Sequence, residues 1–368
     1  MVDSFPIYKI CLTGGPCAGK TTALTTLKEK LTEKGFKVFV VPEVPTLTME
    51  GGGMIIMGGL TSENICRFQS LLMKAQINLE DYFIDLAKLN GKAAVVLMDR
   101  GVMDPKGYMD DNTWQAVLDE SGWNSVYLRD KRYDAVIHLV TAADGAEKFY
   151  TLENNAARYE DVPTAIKVDQ ALQNAWRGHP HQIIIDNSAP SFDKKIEKVI
   201  NAVEKFVGIP VTTTLFRKFL VESYQIPADV KTEMFEVEEA FLKTDSEKNE
   251  FEKIRKRGQN NAFSYVHTVR QKSGNKEMRC EVKNIITARE YINLFEKRDT
   301  TLNVIKKTRI AFIYDKLSYI LETFKGNTLL RYETFSSETQ PKLPPFIKIT
   351  KEVTDDKSFT TLHAAQAE

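Results

Sequence analysis

Residues Gly14, Gly15, Pro16, Cys17, Ala18, Gly19, Lys20 and Thr21 stand between an apolar run, Ile7 to Leu12, and an amphipathic stretch, Lys20–Lys34. G-x-x-x-x-G-K-[ST] between a strand and a helix is the pattern of a phosphate loop, and it commits this part of the chain to a parallel α/β sheet. Glycines let backbone N–H groups turn toward phosphate oxygens, and the helix start adds the positive end of its dipole. Lys20 is expected to reach the β and γ phosphates and Thr21 to bind Mg²⁺, with Thr22 completing the nucleotide-contacting turn. The expected ligand is a purine nucleoside triphosphate, GTP or ATP, with Mg²⁺. The plain alternative is a Gly-rich turn that merely opens a helix.

The rest of the first half supports such a sheet. Strands are expected at Tyr8–Thr13, Lys37–Val41, Ala93–Asp99, Ala135–Val140 and Gln182–Asp186, separated by helical stretches that include Thr61–Asn90, Pro163–Arg177 and Phe192–Phe206. Right-handed crossovers gather the strand ends and helix starts on one edge. Asp99 ends its strand where an acid can hold Mg²⁺ or its water, and Arg100 would face the phosphates. Glu43, in a Pro-bounded turn after the second strand, reads equally as a base for an attacking hydroxyl or as a structural acid. Arg158 lies in a polar segment where nucleotide kinases carry a lid, and could swing onto a transferring phosphate. Asn187 could approach the base or cap a helix. The stretch from Gly51 to Gly59 reads as a mobile apolar loop over an acceptor or as an insertion. No N-K-x-D base reader is present, and Asp99 is followed by Arg100, Gly101 and Val102 rather than opening a D-x-x-G switch, which disfavours a Ras-like switch.

With 368 residues, two domains are expected: a P-loop domain over 1–207, a β domain over 208–355 and, over 356–368, a tail whose last dozen residues read as a frayed helix or tail. The boundary falls at Val207-Gly208-Ile209-Pro210. Beyond it, alternating runs at Thr213–Ser223, Phe235–Lys243, Phe263–Gln271, Met278–Asn284, Thr308–Tyr314, Ser318–Thr323 and Asn327–Ser336 read as antiparallel strands. Cations recur at spacings of two: Arg255 and Arg257, Lys307 and Arg309. Arg217, Lys218, Arg270, Arg279 and Lys283 add to them. If the sheet curls into a barrel, several converge on a phosphate-rich anion; otherwise they are solvated strand faces. Fifty basic and fifty acidic residues cancel, so any basic site is local and no nucleic-acid partner is expected. The four scattered cysteines suggest a reducing compartment and no zinc, and the early strand leaves no room for a signal peptide, so a cytoplasmic location is expected.

Taken in order, the segment Leu215–Val221, the Arg255-Lys256-Arg257 strand, the Glu281 strand, the Lys307 and Arg309 strand and Tyr332-Glu333 resemble the CYTH or triphosphate-tunnel family. That resemblance implies an antiparallel β-barrel that binds triphosphates through inward cations, with metal held by glutamates. The family opens E-x-E-x-K, whereas this chain has Thr214-Leu215-Phe216-Arg217-Lys218, keeping the lysine without the glutamates. The first half resembles NadR-type P-loop kinases through Gly14–Thr21, Asp99-Arg100 and Arg158. The pairing of the two resembles the TRPL translocation defect protein family, which implies GTP binding, recognition of phosphoinositide headgroups and a peripheral membrane contact. A nucleotide-dependent binder of polyanions is therefore expected. The alternatives are a P-loop kinase for a small nucleoside-like acceptor and a scaffold that retains nucleotide.

Overall fold

The run Ile7–Gly14 forms strand β1 in the computed structural model, which describes residues 5–53, 61–150, 161–209, 215–244, 249–271, 281–334 and 341–366. From Ile10 onward every residue of β1 is buried, as a strand covered on both faces requires. Contacts divide the chain into Met1–Val207, here unit 1, and Gly208–Glu368, unit 2. Among the described residues, no helix is long and apolar enough to cross a membrane.

In unit 1, β1 is the centre of a five-stranded sheet with β2 (Lys37–Val41), β3 (Ala94–Asp99), β4 (Ala135–Leu139) and β5 (Gln182–Ile185), in the order β2-β3-β1-β4-β5. Every pairing is parallel. Helices α1 (Lys20–Glu33), α2 (Val44–Glu50), α3 (Ser62–Leu89), α4 (Asp111–Ser121), α5 (Val162–Ala175) and α6 (Phe192–Phe206) make the crossovers and flanks. The aliphatic strands Ala94–Met98 and Ala135–Leu139 bury against the helices, with Met73, Trp114 and Trp176 among the core residues. Helix α4 lies outside the helical stretches named from the sequence, and it begins on Asp110, whose side chain accepts from the Thr113 amide.

The chain direction then reverses strand by strand. Unit 2 is a nine-stranded sheet in the order β10-β9-β8-β7-β11-β12-β13-β6-β14. The strands are β6 (Leu215–Tyr224), β7 (Thr232–Phe241), β8 (Asn249–Gln259), β9 (Ala262–Gln271), β10 (Glu281–Ile286), β11 (Ile305–Tyr314), β12 (Leu317–Phe324), β13 (Asn327–Thr334) and β14 (Ile347–Glu352). All eight pairings between them are antiparallel. Three tight hairpins set the register: Asn260 and Asn261, Asp315 and Lys316, and Lys325 and Gly326 all have positive φ, the geometry that matches the right-handed strand twist. Strand β14 lies outside the runs expected from the sequence. Helix α7 (Ala288–Phe295) starts with a Thr287–Glu290 capping box.

Of the last dozen residues, those up to Gln366 are packed. Helix α8 (Thr361–Gln366) places Ala364 and Ala365 in a core cluster with Phe241, Ile305, Phe324, Leu329 and Val353. The Asn303 amide also donates to Ala365 O at 2.8 Å. Small side chains carry little hydrophobic signal, which is why the segment reads as a tail in sequence. Since Ala365 is fully buried, Ala365→Asp would place an unpaired carboxylate in this cluster. It should destabilise the fold by about 3 kcal/mol, read as a lower thermal midpoint of the intact chain; an unchanged midpoint would show that the segment does not pack there.

Candidate functional site

The phosphate loop is set by the space between β1 and β4. Gly14 pairs with Leu139 and has φ +143, and a Cβ there would stand 2.1 Å from Leu139 O. Gly19 has φ +93 and lies against the Phe192 ring, where a Cβ would be 2.6 Å from a ring carbon. Neither position admits a side chain without moving its neighbour.

Two buried polar side chains hold the loop from behind. Asp169 of α5 accepts from the Gly15 amide at 2.8 Å and from the Thr141 amide at 3.0 Å, and it lies 3.1 Å from His138 Nε2. Burial opposes its charge, but His138 and the hydrogen bonds prevail and lower its pKa to about 2. Lys195 of α6 donates to Ala18 O at 3.1 Å, Val140 O at 2.7 Å and Asn187 Oδ1 at 2.7 Å. The Thr141 hydroxyl donates to Pro16 O at 2.5 Å. Asp169 and Lys195 were not expected site residues. Their signal in the sequence is a polar residue on the apolar stripe of a helix, beside Ala165 and Leu172 or beside Ile196 and Val199.

On the ligand side, α1 begins at Gly19 without a side-chain cap, as the short α2 does at Glu43, whereas α3, α4, α5, α6 and α7 begin on capping side chains. Open N–H groups at a helix start suit a phosphate oxygen. Lys20 Nζ donates to Gly14 O at 3.0 Å and Gly15 O at 3.2 Å, so the ammonium is already drawn over the loop. Thr21 and Thr22 are exposed at the helix start, while Pro16 and Cys17 are half-buried and Ala18 is buried. Asp99 sits beside Leu12 in register, and its Oδ1 is a buried oxygen without a hydrogen-bond partner. Burial raises its pKa, with Lys20 opposing. An orphaned carboxylate oxygen at this strand end and the Thr21 hydroxyl are donors of the kind Mg²⁺ takes, so the residues fit the ion. No cluster of three or more His, Cys, Asp or Glu suited to a metal exists among the described residues.

The other expected residues fall differently. Arg100, at φ +67, pairs with Glu43, lies 3.5 Å from Asp104 and donates to Gly14 O at 3.4 Å. Glu43 also accepts from the Thr46 hydroxyl at 2.7 Å; burial works against its charge, yet Arg100 and this bond hold its pKa low. Asn187 donates to Thr141 O and Asp144 O, both at 2.7 Å, so its amide braces the loop after β4. Arg158, Arg279 and residues 54–60 of the glycine-rich stretch lie outside the described residues.

In unit 2 the register sorts the cations by face. Opposed pairs Val237 and Arg257, Glu239 and Arg255, Arg309 and Glu322, and Lys218 and Arg331 share one face with Lys307, Arg270 and Lys283. Arg257, Lys307 and Arg309 are buried there, as are Glu239 and Glu322. Arg217 belongs to the opposite face: it is opposed by Tyr332 and pairs with Glu352 at 2.6 Å, because the neighbour of an inward lysine must point outward. Lys253 and Arg331 join the charged face unannounced, although each lies two residues from an inward position, Arg255 and Leu329. Glu239 went unnoticed among Glu233, Glu236 and Glu238 of the same strand, and Glu322 because a single acid in an apolar strand carries no motif.

Burial, with Arg100 nearby, lowers the Lys20 pKa to about 8. A phosphate partner favours the charged amine, so binding above that pH should take up a proton and weaken by about tenfold per pH unit. Calorimetry with triphosphate in buffers of different ionisation enthalpy reads this uptake. Constant affinity from about pH 7 to about pH 10 would contradict it.

Two solved structures of the protein NE1496, one described as a hypothetical protein and one as an inorganic triphosphatase, are similar to this chain at 20% and 19% identity. They cover 42% and 43% of this chain and 99% and 97% of their own, with a TM-score of 0.32 in each case. No curated protein matches the chain. A family model described as an AAA domain matches residues 9–194, which contain the phosphate loop, Asp99, β2 to β5 and all of β1 but its first two residues. The chain therefore belongs to the AAA domain family.

Proposed function

We propose that the chain is a nucleotide-dependent binding protein: unit 1 holds GTP or ATP with Mg²⁺, and the charged face of unit 2 holds a phosphoinositide headgroup or another phosphate-rich anion. The observation that carries the reading is the uncapped start of α1, with Lys20 Nζ drawn over the Gly14 and Gly15 carbonyls and the orphaned Asp99 Oδ1 beside it. Amides of the loop would take phosphate oxygens, Lys20 the β and γ phosphates, and Arg100 the remaining charge. Thr21 and Asp99 would hold Mg²⁺, which lowers the charge on the phosphates when bound. The resemblance to the TRPL translocation defect family extends the reading to a regulatory role in trafficking at the cytosolic side of a membrane.

A phosphotransferase is the second reading, and Glu43 favours it. Its carboxylate is held ionised beside the loop by Arg100, and an acceptor hydroxyl in the place of Arg100 could hand it a proton. Turnover with an acceptor would separate the two.

Calorimetric titration of the intact protein with GTP, ATP and inositol hexakisphosphate, with and without Mg²⁺, tests the binder reading. Lys20→Ala should abolish the Mg²⁺-dependent nucleotide signal and leave the inositol phosphate signal intact. Loss of both signals would mean that one site serves both ligands, and the two-site reading would fall.

A further inference from the structure

We infer that the anion site of unit 2 works without a divalent cation, because its two buried carboxylates are already held by protein cations and phosphate oxygens meet guanidinium and ammonium groups directly. The inference rests on the reading that this face binds a phosphate-rich anion. It departs from what the triphosphate-tunnel resemblance implies, namely a metal held by glutamates.

Glu239 Oε1 lies 3.4 Å from Lys253 Nζ and Oε2 lies 3.1 Å from Lys307 Nζ, the second contact being ionic rather than a directed hydrogen bond. Glu322 Oε1 lies 3.3 Å from the same Lys307 Nζ, and its Oε2 takes Arg331 at 3.2 Å together with the Arg309 guanidinium. Lys307 thus bridges the two acids. Burial works against both charges, yet the surrounding cations hold both pKa values below the usual carboxylate range, so each acid is ionised and neutralised by its neighbours. A hard divalent ion needs several oxygens at about 2.0–2.6 Å. Here it would have to expel Lys307 from both carboxylates while lying beside further guanidinium groups.

The resembled family has two glutamates where this chain has Thr214, outside the described residues, and Phe216; at Phe216 the Arg331 guanidinium lies 5.1 Å from the ring centroid. An aromatic face can orient an arginine but cannot ligate Mg²⁺. Two lysines of this face now donate to neutral oxygens of the C-terminal segment: Lys218 Nζ to Phe359 O at 3.2 Å and Lys307 Nζ to the Thr361 hydroxyl at 2.5 Å. A phosphate oxygen is the stronger acceptor for either. The ligand chemistry is therefore a compact, metal-free polyphosphate anion, whether inorganic or carried on a headgroup.

The test uses full-length protein carrying Lys20→Ala, which removes the nucleotide site, titrated with inorganic tripolyphosphate in excess EDTA and in excess Mg²⁺. Affinity in EDTA should equal or exceed that in Mg²⁺, since the ion competes for the same oxygens. In EDTA, Arg255→Gln should weaken binding about tenfold, and Lys283→Gln, at an exposed position of the same face, supplies a variant with little effect on folding. Binding that vanishes in EDTA and returns with Mg²⁺ would overturn the inference while leaving the anion site standing. Binding in EDTA that ignores both substitutions would overturn the placement on this face. Absence of binding under either condition would remove the anion reading itself.

Discussion

A carbonyl oxygen and an absent side chain fix the phosphate loop. Leu139 O at the end of β4 fills the space that a Cβ on Gly14 would occupy, and this close approach lets β1 end in a turn between its two neighbours. The strand order puts the ends of β3 and β4 on either side of that turn. From there the remaining parts are placed with little freedom: Asp99 comes in beside Leu12, Thr141 reaches Pro16 O, and α5 and α6 send Asp169 and Lys195 in behind the loop. Buried charges are costly unless paired or hydrogen-bonded. Both of these are, so the loop is held by groups that cannot easily let go.

The two units offer a phosphate ligand different electrostatics. In unit 1 the donors are chiefly backbone amides at a helix start, with Lys20 and Arg100 beside the acids Asp99, Glu43 and Asp104. That mixture of signs suits a bound Mg²⁺ as well as an anion. Unit 2 gathers side-chain cations on one face of a sheet and neutralises the two acids buried there, Glu239 and Glu322, internally. Removing Glu239 or Glu322 would leave Lys307 and its neighbours facing one another, so these acids act as spacers for a crowded positive face.

Much of unit 1 was legible because parallel strands buried on both faces read as unbroken apolar runs, and Lys37–Val41 was found with its observed bounds. The side chains behind the loop were not legible. Asp169 and Lys195 lie 154 and 177 residues from their partners Gly15 and Ala18, and only the fold brings them together. In unit 2, alternation gave seven of the nine strands, all but β8 and β14, but the face of each cation depends on register. A shift of one residue sends Arg217 outward and Lys218 inward. For α8 the sequence left a frayed helix and a tail open, because its buried contacts come from alanines, whose pattern differs little from that of a solvated tail.

Hydrogen exchange measured by mass spectrometry on the intact protein tests the central claim, two phosphate sites in separate units, most directly. GTP or ATP with Mg²⁺ should slow exchange in peptides that contain Gly14–Thr21 and Asp99-Arg100. Inorganic tripolyphosphate in EDTA, on the Lys20→Ala protein, should slow exchange in peptides from β8, β9 and β11 to β13. Protection of the same peptides by both ligands, in either unit, would contradict the account.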